Sequence, residues 1–274
     1  MAYSFKNKVV IVTGASSGIG LAIAKEFAIA GSIVVIAARS EGKLDKLAHE
    51  IRIKGGEAYA IPTDVTDEEQ CRLLVSRTIE KYGKLDILIN NAGISMRANL
   101  IDVESSVLKR LMDVNFWGVV HCTKHALPHI LESRGVLVGI SSVAGFHGLP
   151  GRIGYAASKF AMHGFLESLR IEYLRQGLKV MIVAPGFTAS NIRYNALLAD
   201  GSKQGETPRN ETRMMKPEYV ARWVLKGIRR KKRNKILTWG GRFTALFQRI
   251  IPGVVDFVYY KMMEIEPGSP LKDQ

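Results

Sequence analysis

Short β-branched runs alternate with amphipathic stretches along most of this chain, and that alternation constrains the fold more than any other feature. "KVVIVT", "SIVVIAA", "EAYAIP", "LDILIN", "GVLVGIS", "LKVMIVA" and "KILTW" read as seven strands. Between them lie helical patterns over 18–30, 41–54, 67–82, roughly 104–132, 153–175 and near 217–230. Strands that are apolar at almost every position must be covered on both faces, so the pattern predicts a parallel sheet with helices on either side. This is a doubly wound α/β arrangement, whose ligands bind beyond the carboxyl ends of the strands. The residues just after each apolar run are therefore where chemistry is expected. With 274 residues, 47% of them apolar, the chain can close one large core. Residues 1–239 are expected to form the main domain and 240–274 a helical extension rich in large apolar side chains, either part of that domain or a contact to a membrane or a second subunit.

Glycines mark the first of these strand ends. In "VVIVTGASSGIGLAIAKEFAIAG" a strand runs through a glycine turn into a helix. Gly14, Gly18 and Gly20 let backbone N–H groups come close to a ligand, with Ser16, Ser17 and Ile19 in the same turn. The helix start adds unpaired donors and a positive dipole, which suits the diphosphate of a dinucleotide. After the second strand, Ala38 stands where an acidic side chain would hold the adenosine ribose of NAD, and Arg39 and Ser40 follow it. An arginine there matches a 2′-phosphate, so the expected cofactor is NADP(H). Asp64 and Val65 follow the third strand, beside the expected adenine, and Asn91, Ala92 and Gly93 follow the fourth, where the backbone must pass close to the cofactor.

"YAASK" places Tyr155 and Lys159 one helical turn apart, thirteen residues after Ser142 in "GISSVAG". An ammonium at that spacing would favour phenolate and draw the tyrosine toward the range useful for acid and base work. Two cysteines, Cys71 and Cys122, are too few for a disulfide framework and lie in no metal-ligand spacing; both are expected to be buried or half-buried thiols, and no metal is expected. The N-terminal residues run into the first strand without an apolar leader, and no stretch has the roughly 18 consecutive apolar residues that span a bilayer, so a cytoplasmic protein is expected.

TGASSGIG, DV, NNAG, the asparagine in "MDVNFWG", the serine in "GISSVAG", YAASK and "APGFTAS" occur together and in order over about residues 6–190. In this the chain resembles the short-chain dehydrogenase/reductase family. The resemblance implies a Rossmann-type fold and a catalytic set of Asn115, Ser142, Tyr155 and Lys159. It implies that Tyr155 protonates a carbonyl oxygen, that Ser142 holds that oxygen, that Lys159 also binds the nicotinamide ribose, and that Asn115 positions a water. It places Pro185, Gly186, Phe187 and Thr188 against the nicotinamide amide. It also implies a homodimer or homotetramer.

Substrate identity is carried by less. Ile94, Met96, Phe146, Leu149, Phe187 and Ile192 give the expected surroundings an apolar character, with Ser142, Phe146, Tyr155 and Phe187 as the substrate contacts. The net charge is +14, and between Arg213 and Arg249 twelve Lys or Arg face one acid, Glu218. A basic run, "RRKKRNK", precedes the apolar "FTALFQRIIPGVVDFVYYKMM", which resembles the ends of 3-ketodihydrosphingosine reductases and, more distantly, hydroxysteroid dehydrogenases. The expectation is an NADPH-dependent reductase of a lipid-like ketone, 3-ketosphinganine being the sharpest candidate, with peripheral attachment to anionic membrane. The alternatives are a 3-oxoacyl-carrier-protein reductase, a hydroxysteroid dehydrogenase, or a non-catalytic NADP sensor or nucleic-acid binder; the intact Asn, Ser, Tyr, Lys set speaks against the last.

Overall fold

The computed structural model describes residues 3–207 and 210–272. Seven parallel strands form one sheet: β1 (Val9–Thr13), β2 (Ile33–Ala38), β3 (Glu57–Pro62), β4 (Ile87–Asn90), β5 (Val136–Ile140), β6 (Lys179–Ala184) and β7 (Asn234–Ile236). Their order is β3-β2-β1-β4-β5-β6-β7, so the winding direction reverses between β1 and β4. That is where a doubly wound sheet opens a crevice for a ligand.

Because side chains alternate across a strand, each apolar run supplies two cores at once. Val10, Val12, Val34 and Ile36 pack with Ile23 and Phe27 of α1 (Gly18–Ile29), with α2 (Glu41–Ile53), and with Val220 and Val224 of α7 (Pro217–Arg229). Val9, Ile11, Leu88 and Leu137 point the other way. They meet Leu74 of α3 (Glu68–Tyr82), Ala126 of α5 (Gly118–Glu132), and Met162 and Leu166 of α6 (Ile153–Glu172). Both cysteines are fully buried in this second core, with their sulfurs 3.5 Å apart. The amphipathic patterns thus form the expected helices, and the sheet is the expected one.

Four departures have local causes. The stretch over 104–132 is two helices, α4 (Ser105–Met112) and α5, joined by a π-helical turn at Asp113–Trp117 in which Gly118 N donates to Asp113 O. Such turns interrupt a helix where a side chain must be re-aimed, and this one carries Asn115. β7 ends before the "LTW" of "KILTW", because the Thr238 hydroxyl accepts from Gly241 N at 3.1 Å and starts α8 (Trp239–Phe247). The segment 195–215, whose Gly, Pro, Asn, Ser and Thr content reads in the sequence as a mobile loop with one short helix, is fastened instead, although residues 208 and 209 lie outside the described residues. Leu197 is buried and exchanges backbone bonds with Ser95 and Arg97, and Arg193 bonds Thr188 O and Glu211, each at 3.0 Å. Among its described residues the helix is a single 3-10 turn at Glu211–Arg213.

The fourth departure concerns the tail. After α8 and α9 (Pro252–Glu264) the chain is not helical but runs back along the loops that follow β4 and β5. Asn99 Nδ2 donates to Pro270 O at 2.6 Å, Arg97 donates to Pro267 O, and Glu266, Ser269 and Leu271 are buried. By contrast the outward residues of α8, α9 and their connection, among them Trp239, Phe243, Leu246, Ile250, Phe257 and Val258, are exposed. Among the described residues no helix is long and apolar enough to cross a membrane.

Candidate active site

Gly14, at φ +65°, turns the chain sharply out of β1, and a Cβ there would sit 2.8 Å from Ala92 Cα. Only glycine lets the first and fourth strand ends approach this closely. Asn91 secures the contact: its Nδ2 donates to Thr13 O at 2.9 Å, while Thr13 Oγ1 accepts from Asn91 N and Ala92 N at 3.0 and 3.1 Å. Ser17 caps α1 in extended geometry without a side-chain hydrogen bond, and there is no acid in the first turn. The opening N–H groups of α1 are therefore directed outward with their positive potential uncompensated, as an anionic diphosphate requires. Ser190, from the loop after β6, stands 3.0 Å from where a Gly18 Cβ would be, so that loop overhangs the same turn.

At the rim, Ala38 ends β2 and Arg39 and Ser40 are exposed, the Ser40 hydroxyl making no cap bond to α2. Asp64 accepts from Thr66 N and Oγ1, and Val65 is buried, its carbonyl accepting from Cys71 Sγ at 3.5 Å. Pro185 is buried at the end of β6; Gly186 lies against Thr238; Phe187 O accepts from Met215 N; and Thr188 donates to Gly186 O at 3.0 Å. All the glycine-turn, rim and β6-end residues picked out by motif border the carboxyl edge of the sheet. They fit a dinucleotide in the crevice, the glycine cradle and the uncapped helix start being the features a diphosphate fills.

The four residues of the Asn, Ser, Tyr, Lys set converge from three elements. Gly139 of β5 makes room for α6: a Cβ would collide with Leu166 and meet Met162 Cε at 3.6 Å. This close approach sets the inner face of α6, with Tyr155, Lys159 and His163 one turn apart, under the end of β5. Lys159 Nζ donates to Ile140 O at 3.1 Å. Asn115, wholly buried, accepts from Ile94 N at 2.8 Å and donates to Ile94 O and to Ser158 Oγ, tying the π-helical turn to α6 and to the NNAG loop. Ser142 Oγ accepts from Ala144 N at 3.2 Å, which leaves its hydroxyl proton to donate elsewhere, and Tyr155 is within its hydrogen-bonding reach. Ser141 is differently placed: its hydroxyl is committed to His163 Nε2 at 2.6 Å.

The electrostatics correct the expectation that Lys159 makes the tyrosine acidic. Burial pushes the Tyr155 phenol above its ordinary value; hydrogen bonding to Ser142 and then the charge of Arg152 pull it back. Lys159 Nζ is 5.7 Å from the Tyr155 ring centroid, and burial lowers its own pKa to about 8. The same desolvation raises a phenol and lowers an ammonium, so in the free protein burial outweighs what the neighbours of the phenol do to acidify it. His163 is brought down to about 4 by burial and by Lys159, so it is neutral near pH 7 and serves as the partner of Ser141.

Of the apolar residues expected near substrate, Ile94, Met96, Leu149 and Ile192 cluster with Tyr155, Phe146 packs edge-on against His163 at 4.6 Å, and Phe187 is half-buried. Beyond this cluster opens a groove of about 1350 Å³, walled by Leu149, Ile153, Ala156 and Phe160 on one side and by Phe257 and Tyr260 of α9 on the other. Ser142 and Tyr155 are not in its walls, but Ala156 and Leu149 border both spaces. Motif reading missed the α9 wall, and it missed Arg152, Glu266 and His163. Of these only His163, four residues after Lys159, had a periodicity that could have flagged it.

The short chain dehydrogenase family matches residues 8–199. Among curated proteins, a cattle (Bos taurus) protein called dehydrogenase/reductase SDR family member 7B is 36% identical over 239 residues, spanning 85% of this chain and 74% of its own. A sesame (Sesamum indicum) 11-beta-hydroxysteroid dehydrogenase A is 34% identical over 97% of this chain and 78% of its own. Two solved structures share the fold at 24% identity. A Burkholderia phymatum short chain dehydrogenase/reductase in complex with NAD has a TM-score of 0.77 over 97% of each chain. A Thermococcus sibiricus alcohol dehydrogenase complexed with 5-hydroxy-NADP has a TM-score of 0.73 over 85% of this chain and 95% of that one. With its parallel sheet, its glycine turn at the switch point and these relatives, the chain belongs to the short-chain dehydrogenase/reductase family of oxidoreductases.

Proposed function

We propose that this protein is an NADPH-dependent reductase of a ketone carried on a hydrophobic, lipid-like molecule. The reaction class rests on Ser142 and Tyr155 lying together above Lys159 at the end of β5. When bound, the reduced nicotinamide supplies the hydride that adds to the carbonyl carbon. Tyr155 gives its phenolic proton to the carbonyl oxygen as negative charge develops there, and Ser142 donates a hydrogen bond to the same atom. Lys159 binds the nicotinamide ribose, Asn115 holds the π-helical turn that would lodge the proton-resupplying water, and Arg39 with Ser40 receives the 2′-phosphate. Proton donation matches the elevated phenol: a tyrosine held neutral by burial is ready to act as the acid of a reduction.

The substrate class rests on the groove that adjoins the Tyr155 cluster at Leu149 and Ala156, whose walls are mainly apolar and which is roomy enough for a chain or a fused-ring body. 3-Ketosphinganine remains the sharpest candidate. The 34% identity to a hydroxysteroid dehydrogenase supports a keto-steroid as the second reading. The exposed Trp239, Phe243, Phe257 and Val258 beside Arg242 and Arg249 support peripheral attachment to an anionic bilayer, with each basic residue near the surface contributing roughly 1 kcal/mol. The same exposed face would serve a homodimer or homotetramer.

The decisive assay follows NADPH consumption with 3-ketosphinganine, an 11-keto steroid and a 3-oxoacyl carrier-protein thioester. Turnover of the first is expected. Turnover of the steroid alone would move the assignment to the second reading, and turnover of no apolar ketone would remove the proposal.

A further inference from the structure

α6 begins at a buried ion pair that none of the motifs includes. Arg152, 6% exposed, stands at the N-cap position, three residues before Tyr155, and its Nη2 reaches both carboxylate oxygens of Glu266 at 3.2 Å. Glu266, 4% exposed, belongs to the segment beyond α9. The contact is part of a longer seam. Arg97 donates to Pro267 O, Asn99 to Pro270 O, and Pro270 fills the space beside Gly151. Ala98 N donates to Gly151 O at 3.0 Å, joining the loop after β4 to the residue before Arg152. The C-terminal segment thereby clasps the loop after β4 and the loop after β5, the second of which leads into Tyr155.

We propose that Glu266 is a positioning residue for the reaction: paired with Arg152, it anchors the first turn of α6 and sets how much positive potential Arg152 presents to the Tyr155 hydroxyl. The inference rests on the reading of Tyr155 as the proton donor. Burial of the pair in low dielectric makes each charge dependent on the other, and removing one partner leaves the second uncompensated. Arg152 Nε has no hydrogen-bond partner among the described residues, so neutralising Glu266 would leave the guanidinium still less satisfied. The charged and titratable groups around the phenol are few. α6 contributes Arg152, Lys159 and neutral His163; the loop after β4 contributes Arg97, turned to the tail; the tail contributes Glu266. α4, the turn after β5 and the loop after β6 contribute Val107, Leu111, Ala144 and Leu197, all apolar, to the buried cluster that holds Tyr155. Glu266 is thus the acidic group through which the tail acts on this surrounding of cations.

The test is the ultraviolet titration of tyrosinate in the full chain saturated with NADP, taking each protein minus its Tyr155→Phe counterpart so that only the Tyr155 ionisation remains. Glu266→Gln is expected to make that ionisation about tenfold more favourable, an acid shift of roughly one unit, as an uncompensated nearby cation would. Arg152→Gln should shift it the other way, Glu266→Asp should keep the parent curve, and the double variant Arg152→Gln with Glu266→Gln should lie less to the acid side than Glu266→Gln alone. Circular dichroism checks that each variant is folded; should Glu266→Gln unfold, the Arg152→Gln shift carries the test. An unchanged or alkaline-shifted curve in folded Glu266→Gln, or no shift in Arg152→Gln, overturns the inference. If Tyr155→Phe removes no ionisation from the parent protein and leaves turnover intact, the reading of Tyr155 as proton donor fails instead.

Discussion

Replacing Lys159 with methionine should make the protein more stable while abolishing its activity, and the stability gain should depend on pH. Burial brings the Lys159 ammonium down to about 8, against roughly 10.4 for an unfolded lysine. A difference of about 2.4 units corresponds to roughly 3 kcal/mol of native-state cost while the ammonium is charged. Methionine keeps the length of the stem and removes the charge. It also loses the hydrogen bond to Ile140 O, worth about 1 kcal/mol. The net expectation near pH 7, without cofactor, is a gain of roughly 2 kcal/mol. Above the native value and below the unfolded one, the unfolded chain binds the proton that the native chain has released, so wild-type stability rises with pH across that window. By about pH 9.5 the wild type should have recovered roughly 2 kcal/mol, and the two proteins should be nearly equal. Urea denaturation of both at the two pH values measures this as a difference of differences, in which every other titrating group cancels. A stability gap that stays constant with pH would refute the argument, because the cost assigned to Lys159 would then not be the cost of its charge.

Tyr155→Phe should leave folding intact and lower kcat by about 10²–10⁴-fold, the usual contribution of a positioned acid, read in the NADPH consumption assay. Arg39→Ala should raise KM for NADPH by roughly 10-fold, a value at the low end for a charged hydrogen bond because Arg39 is exposed, and leave KM for NADH unchanged; equal effects on both cofactors would count against a 2′-phosphate contact. Gly14→Ala forces an L-residue to φ +65° and a Cβ to 2.8 Å from Ala92 Cα, so it should cost at least about 1–2 kcal/mol in thermal or urea unfolding and weaken NADPH binding measured by fluorescence.

Several features were legible because they depend on near neighbours along the chain. Strand alternation prescribes two core faces, and the same apolar runs that announce the sheet supply Val10 to one core and Val9 to the other. The glycine turn, the Tyr155 to Lys159 spacing and the position of Ser142 at a strand end follow from helical and extended periodicities that act over a few residues. What stayed hidden depends on residues far apart in sequence. Whether Lys159 acidifies Tyr155 turns on how much water reaches them, and burial by α4, the turn after β5 and the loop after β6 reverses the local expectation. Arg152 finds Glu266 only because the end of the chain folds back over the β4 and β5 loops, and the apolar tail is buried at Val255, Met263 and Leu271 but open at Phe243 and Phe257. Periodicity is a short-range property of the backbone, whereas desolvation and ion pairing are set by whatever chain segments the completed fold brings within a few ångströms.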